Sequence, residues 1–496
     1  MVVHSSGQLV TDTPIKFGTD GWRGLIAADF TFERLALVAP LAAQVLAEVY
    51  GNTAGNNTII VGYDRRFLAE EFAQTTATAV KAAGFDVLLS ETYAPTPAFS
   101  LAAKHHNALG ALVITASHNP GGYSGLKVKG AFGGSVPPEV TQQIETLLAK
   151  TQSADATPDA TATKTTSGEL QTFNPWPDYC ETLQSKVDIA LIRGAIAQGK
   201  LTVFADVMHG AAAGGLAQLL GVPIQEINSD RDPLFGGGAP EPLPRYLSQL
   251  FRRIRNHRRT AGANLAVGLV FDGDSDRIAA VNGQGDFLSS QILIPVLIEH
   301  LAVKRGFRGE VVKTISGSDL IPKVAALYDL PLFETPIGYK YIADRMLEAQ
   351  VLLGGEESGG IGYGHHIPER DALLSALYVL EAIAQSGLDL SDLYSKLQQQ
   401  TGFTAAYDRI DLPLASMAVR SRLLEQLQTQ PLTEIAGQSV VDCLSIDGYK
   451  FRLADGRWLL IRFSGTEPVL RLYSEAATLE QVHQTLDWAK QWANSQ

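Results

Sequence analysis

Residues 111–129 read ALVITASHNPGGYSGLKVK, and both the fold and the chemistry turn on them. Residues 111–114 (ALVI) are an apolar run of the length and type of a buried strand. Thr115, Ser117, His118 and Asn119 follow in a polar turn. Pro120-Gly121-Gly122 then bends the chain, because proline fixes φ while glycine frees it. Ser117 therefore stands at the mouth of a strand, beside a histidine and ahead of Lys127 and Lys129. In open α/β sheets, ligands bind outside the carboxyl ends of the strands. A hydroxyl held there among cationic and hydrogen-bonding groups suits phosphoryl chemistry. An isolated S-H-N-P would be an ordinary turn after a strand; the rest of the chain gives this one its meaning.

A chain of 496 residues exceeds what one core organises, so several domains are expected. Hydrophobic residues make up 45% and charged residues 19%, the composition of an ordinary globular protein with ample apolar material to bury. The net charge of -12 argues against a general nucleic-acid binder but leaves room for a local basic pocket and an anionic substrate. Two cysteines, Cys180 and Cys443, form no disulfide framework, which suits a reducing cytoplasm. The stretch MVVHSSGQLV lacks the basic flank and apolar run of a signal peptide. No segment approaches the ~20 apolar residues of a membrane span, so neither nucleic acid nor membrane is expected as a partner.

Outward from residues 111–114, a pattern repeats three times. Its first copy is 58–62 (TIIVG), 85–89 (FDVLL) and 111–114; its second is 201–205 (LTVFA), 222–227 (VPIQEI) and 265–271 (LAVGLVF). The third is 310–314 (EVVKT), 330–333 (LPLF) and 351–353 (VLL). Helix-length segments separate the runs, and residues 30–50 carry helical periodicity, which predicts α/β units with mostly parallel pairing. Each third strand ends in an unusual polar loop, TASHNP, DGDSDR or GEESGG. Three related α/β domains, each placing one loop at a shared cleft, are the simplest account. Residues 152–172 are poor in large apolar side chains and read as an exposed loop or linker. The arginines at 252, 253, 255, 258 and 259 read as the solvated face of a helix, with a docking surface for an anionic partner as the alternative. After about residue 401 a last domain begins, ending in RWLLIRFSGTEPVLRLYSE and an amphipathic helix over 478–493. The expected boundaries are 1–184, 185–288, 289–400 and 401–496.

Asp272, Asp274 and Asp276, in FDGDSDR, are the strongest local signal. Three carboxylates at alternate positions converge only on a curled loop, and such a cluster repels itself unless a cation neutralises it. Hard oxygen ligands on a tight loop favour Mg²⁺. A calcium EF-hand needs Gly at the sixth position and Glu at the twelfth, where this chain has Arg277 and Gly283. In GGEESGG, Glu356 and Ser358 offer hydrogen bonds to sugar hydroxyls beside flexible glycines. In RFSGTEP, Arg462, two hydroxyls and the backbone around Gly465 match a phosphate cradle. KFGTDGWRG adds Asp20 and Arg23 on a glycine-rich loop. No Walker A sequence or G-x-G-x-x-G motif supports nucleotide binding.

With FGTDGWRG, TASHNP, DGDSDR, GEESGG and RFSGTEP in this order and spacing, the chain resembles the α-D-phosphohexomutases over nearly its whole length, phosphoglucomutases in particular. The resemblance implies four domains around a deep central cleft, three α/β and a smaller C-terminal one of α+β type. It implies a phosphorylated Ser117, and Mg²⁺ on Asp272, Asp274 and Asp276 with a further oxygen from the phosphoserine. Glu356 and Ser358 would grip the sugar. Arg462, Ser464, Gly465 and Thr466 would bind the phosphate that is not reacting. Arg23, Lys127 and Arg277 match positions near the transferring phosphoryl group, with His118 beside it. Lys313, Tyr339 and Lys340 match further cleft positions. Some family members carry a histidine where this chain has Gly360; His365, His366 and Arg370 are the available substitutes. Ser124 stands where many relatives have Asn, and Ala372 follows Asp371 where phosphoglucomutases often have glycine.

The implied activity is interconversion of glucose 1-phosphate and glucose 6-phosphate through a phosphoserine enzyme, with glucose 1,6-bisphosphate as activator and intermediate. Small hexose phosphates are the expected partners, and a monomer or dimer the expected state. Mannose phosphate or a hexosamine phosphate is the alternative substrate, and a bisphosphate synthase or a non-catalytic sugar-phosphate sensor the alternative role. The D-x-D-x-[TV] signature of one phosphatase class is broken by Asp276.

Overall fold

The apolar run before Ser117 is the strand Gly110–Ile114, buried along its whole length. It lies beside Thr58–Tyr63 in a seven-stranded sheet, in a computed structural model that describes residues 14–18, 20–152, 167–261, 264–464 and 468–495. Thr58–Tyr63, Asp86–Ser90, Gly110–Ile114 and Leu170–Phe173 run parallel, as short β-branched runs separated by helices should. Tyr123–Gly130 returns antiparallel to Gly110–Ile114, so the turn at Pro120 is a reversal, and Gly21–Leu25 pairs antiparallel beyond it. The helix Phe32–Tyr50 covers this sheet; Thr31 caps it by accepting the Arg34 N–H, and Leu35, Val38, Ala42 and Leu46 face inward at helical spacing. The end of the expected linker is a strand, Leu170–Phe173; residues 153–166 of it lie outside the described residues.

The chain divides into two compact units, one running to Leu288 and including Gly359–Asp389, the other comprising Ser289–Ser358 and Leu390 onward. Gly359–Asp389 thus clusters with the first unit, whereas the sequence placed it with 289–400. The first unit holds a second sheet, in which Leu265–Phe271, Leu201–Asp206 and Gln225–Ile227 are parallel and Ile278–Val281 and Phe287–Leu288 antiparallel. The strand expected over 222–227 is shorter, because Pro223 has no N–H for a ladder. The arginine run lies on the helix Ser248–Ala261, where Leu250 and Ile254 are buried and the arginines lie on the outer side.

In the second unit, Glu310–Thr314 pairs in parallel with both Leu332–Thr335 and Val351–Gly355. A six-stranded sheet from Ala406–Pro413 to Glu434–Ile435 is antiparallel throughout, and the terminal helix Leu479–Asn494 packs on it behind a Thr478–Gln481 capping box. The architecture is three α/β sheets and a smaller C-terminal α+β domain. No single helix among the described residues is long and apolar enough to cross a membrane.

Candidate active site

The strand Gly110–Ile114 delivers Ser117 in a left-handed backbone conformation, φ 52°, unusual for a non-glycine residue. The Ser117 N–H donates to Thr115 Oγ1 at 2.9 Å, and Thr115 Oγ1 donates to Asp64 Oδ2 at 2.6 Å. Ser117 Oγ donates to Asp272 Oδ2 at 3.0 Å and lies 3.4 Å from His118 Nδ1. The two residues the sequence chose as nucleophile and metal ligand, 155 positions apart, are in contact.

The loop after Leu265–Phe271 curls because Asp272 Oδ1 accepts the N–H groups of both Asp276 and Arg277 at 3.0 Å. Carboxylate oxygens of Asp272, Asp274 and Asp276 come within 4.8 Å of one another, and all three residues are buried. Asp274 Oδ2 accepts from Thr96 at 2.6 Å and faces the Lys127 ammonium at 2.8 Å. Asp276 Oδ2 faces Lys127 at 2.7 Å and Arg370 at 2.6 Å. The other oxygen of each, Oδ1, is buried with no hydrogen-bond partner among the described residues. Burial and the neighbouring Asp276 and Asp274 push the Asp272 carboxyl well above the usual range. Burial also works against the Asp274 charge, but Lys127 and the Thr96 hydroxyl outweigh it and hold that carboxyl low. Two orphaned carboxylate oxygens beside a carboxyl lacking a counter-charge fit a hard divalent cation, so the aspartate triad can hold one.

Lys127 is a fixed cation. Burial alone would lower it, but Asp20, Asp274 and Asp276 hold it far above the ordinary lysine value. Asp20, seen in the sequence only as part of a glycine-rich loop, links three cations: Lys127 at 2.7 Å, Lys129 at 3.3 Å and Arg370 at 2.5 Å. Burial opposes its charge, but those cations keep its carboxyl low. Arg23 Nη1 donates to Asn119 Oδ1 at 2.6 Å, and Arg277 Nε lies 4.0 Å from Asp276. His118 is held well below the ordinary histidine value by burial, then by Arg277 and Arg23, so its ring is neutral. Thr96 and Arg66 escaped the sequence reading; Arg66 sits just past the end of Thr58–Tyr63, and that place is the signal that could have found it.

The substitutes for the missing histidine separate. Arg370 joins the triad, whereas His366 Nε2 is committed to Asp371 at 3.1 Å and His365 Nε2 to the Tyr378 hydroxyl at 2.6 Å. Gly360 forms a bridge with Arg277. Gly359, at φ +102°, has no room for a side chain, since a Cβ there would meet Ile278 O at 2.7 Å.

In the second unit, Glu356 follows the Val351–Gly355 strand and is buried, with Ser358 two positions on. Lys313 and Tyr339 are both buried. Lys313 is buried against Glu334 at 3.0 Å and Asp319 at 3.5 Å, and donates to Gly317 O. Tyr339 packs in an apolar cluster with Val312, Ile342 and Val351, while Lys340 lies over the Tyr341 ring. Arg462 Nε faces both oxygens of Asp447, at 3.1 and 3.0 Å, and Ser464 O accepts from Arg420. Gly465 and Thr466 lie outside the described residues.

Four family models match most of the chain: the phosphoglucomutase/phosphomannomutase alpha/beta/alpha domains I, II and III over residues 14–155, 177–285 and 289–401, and the C-terminal domain over 419–488. A "phosphoglucomutase/phosphomannomutase" of Thermococcus kodakarensis is 29% identical over 475 residues, covering 95% of this chain and 96% of that one. A "phosphoglucosamine mutase" of Thermotoga maritima is 28% identical over 477 residues, covering 95% and 97%. The crystal structure of a putative phosphomannomutase from Thermus thermophilus superposes with a TM-score of 0.81 at 30% identity, over 97% of this chain and 99% of that one.

Proposed function

We propose that this chain, which belongs to the phosphoglucomutase/phosphomannomutase family, interconverts the 1- and 6-phosphates of an α-D-hexose by way of phosphorylated Ser117. Members of the family are intramolecular phosphotransferases. The observation that carries the reading is Ser117 Oγ on Asp272, at the edge of an aspartate triad with two uncommitted oxygens. Asp272, Asp274 and Asp276 would hold Mg²⁺, which when bound offsets charge on the transferring phosphoryl group. Lys127, Arg23 and Arg277 add fixed positive charge around the same point. In the first half-reaction the phosphoryl–Oγ bond breaks, a bond to the free sugar hydroxyl forms, and the hydroxyl proton ends on Oγ. Lys127 has no capacity to take that proton. His118, neutral and 3.4 Å from Oγ, does. The hexose 1,6-bisphosphate then turns over and returns its other phosphoryl group to Ser117. Glu356 and Ser358 would bind sugar hydroxyls, and Arg462, Ser464, Gly465 and Thr466 the distal phosphate.

For the sugar, the relatives' names favour glucosamine phosphate first and mannose phosphate second. Glucose phosphate is the remaining candidate, supported by the GEESGG loop. The free thiols Cys180 and Cys443 support a cytoplasmic place. The test is a set of coupled assays on glucosamine, mannose and glucose 1-phosphates with Mg²⁺ and catalytic bisphosphate. The expected result is turnover of at least one and a phosphoryl group on Ser117 by peptide mass mapping. No turnover of any, with Ser117 unmodified after bisphosphate, overturns the reading.

A further inference from the structure

Behind the Ser117 loop lies Arg66, with its whole side chain out of contact with solvent. Its Nη2 donates to Ser117 O at 2.5 Å and Asn119 O at 2.7 Å, and its Nη1 to Pro120 O and Tyr123 O, both at 3.1 Å. Four backbone carbonyls of one short loop thus converge on one guanidinium. Its Nε faces Asp64 Oδ2 at 3.3 Å, the oxygen that also accepts from Thr115. The Phe235 ring covers its open side, 4.8 Å from the guanidinium carbon. These contacts are to the loop's frame, not to the side chains that would face substrate or cation. That frame needs support, because Ser117 is held left-handed, a conformation a β-carbon disfavours. It is also packed without slack: a β-carbon on Gly273 would lie 2.4 Å from Ser117 O.

We propose that Arg66 is the positioning residue of the Ser117 nucleophile, pulling four carbonyls of its loop rearward so that Oγ points at Asp272. The planar fork suits the task, since five N–H groups in fixed directions reach several oxygens at once, which an ammonium on a flexible stem does not. The inference deepens the proposed phosphoserine chemistry and rests on it. Its signature is a loss in the rate of phosphoryl transfer with substrate affinity kept.

The experiment is single-turnover transfer from glucose 1,6-bisphosphate to dephosphorylated enzyme, followed by intact mass, together with steady-state kcat and KM. In it the Ser117 Oγ–P bond forms, the sugar O–P bond breaks, and the serine proton passes to the sugar oxygen. Arg66→Lys should slow transfer and kcat roughly 100-fold, the scale on which misplacing a reacting group acts, with KM within about threefold of wild type. Arg66→Ala should regain part of the rate with millimolar methylguanidinium. Phe235→Leu, which leaves Arg66 in place but uncovers it, should lose rate in the same direction by a smaller factor. Arg66→Lys that transfers at the wild-type rate per folded molecule overturns the proposal. If Arg66→Lys does not fold, a wild-type rate in Phe235→Leu overturns it. A wild-type protein that takes no phosphoryl group overturns the functional reading itself, and this inference with it.

Discussion

Among the described residues, two buried clusters of carboxylates and cations can be compared, and one of them has the donor set for a cation. In the second unit, Asp319 is paired with Lys450, Lys313 and Arg452, and Glu334 with Lys313. Its lysines spend further donors on backbone, Lys450 on Ile315 O and Lys313 on Gly317 O. In the first unit, Asp20, Asp274 and Asp276 share Lys127. Among the described residues Asp272 has no cation within ion-pair distance, Asp274 Oδ1 has no partner, and Asp276 Oδ1 has only Arg277 Nε at 4.0 Å; Glu334 Oε1 of the second cluster also makes no hydrogen bond, but the Lys313 ammonium lies 3.0 Å from it. Burying charge is costly unless it is compensated, so three converging buried carboxylates short of counter-charge fit a cation, whereas carboxylates met by their own lysines and arginine act as a strut. Charge content alone does not separate the two.

The comparison can be broken most severely at Ser117. Ser117→Ala should lose roughly a thousandfold or more in kcat, since it removes the nucleophile, and its intact mass should show no phosphoryl group. A fully active alanine variant would make the first cluster a strut as well. Next in size, Asp274→Asn should raise the Mg²⁺ concentration for half-maximal activity by at least about tenfold, read by titration after chelator treatment. Full activity of the wild type in excess chelator would sink the cation assignment. Arg462→Ala removes one charge-assisted contact to phosphate, worth about 1.5–3 kcal/mol, so KM for the hexose phosphates should rise roughly 10- to 150-fold with more free bisphosphate released per product.

Lys313→Met sharpens the contrast from the other side. Leaving Glu334 and Asp319 short of a cation should cost about 3–5 kcal/mol in denaturant unfolding while kcat and KM of the folded fraction stay near wild type. A kinetic loss with stability intact would return Lys313 to the substrate, as the family resemblance implied. The smallest effect concerns His366, buried on Asp371 and held below the ordinary histidine value by burial. The unfolded chain takes up this proton more readily than the folded one, so stability is full above about pH 6.5 and declines as pH falls through that value. Unfolding midpoints between about pH 7.5 and 5 should show the decline, and His366→Gln should flatten it.

The loops that end strands were legible because each concentrates unusual residues where an α/β sheet displays ligands. Ser117, the aspartate triad and Lys127 could be named from the sequence and are found together. Arg66 was missed although its place past a strand end signalled it, because four of its partners are backbone carbonyls, which no side-chain pattern records. Asp20 was visible but not its task, because its cations come from far along the chain, Lys129 from 109 positions away and Arg370 from 350. Lys313 and Tyr339, which the resemblance matched to cleft positions, are buried, Lys313 among carboxylates and Tyr339 in an apolar cluster. Pro223 shortened a strand for a reason the sequence did state, the missing N–H.

Ser117 is 1% exposed, on a loop clamped from behind. A protein kinase must draw the residues around its target into an extended stretch, which this loop could supply only by unfolding locally. For the mutase reading, the first phosphoryl group must therefore arrive on something small enough to enter, a sugar bisphosphate. A newly made molecule is then inert until primed. Each loss of the bisphosphate midway returns it to that state, and the pool of working enzyme follows the supply of its own intermediate.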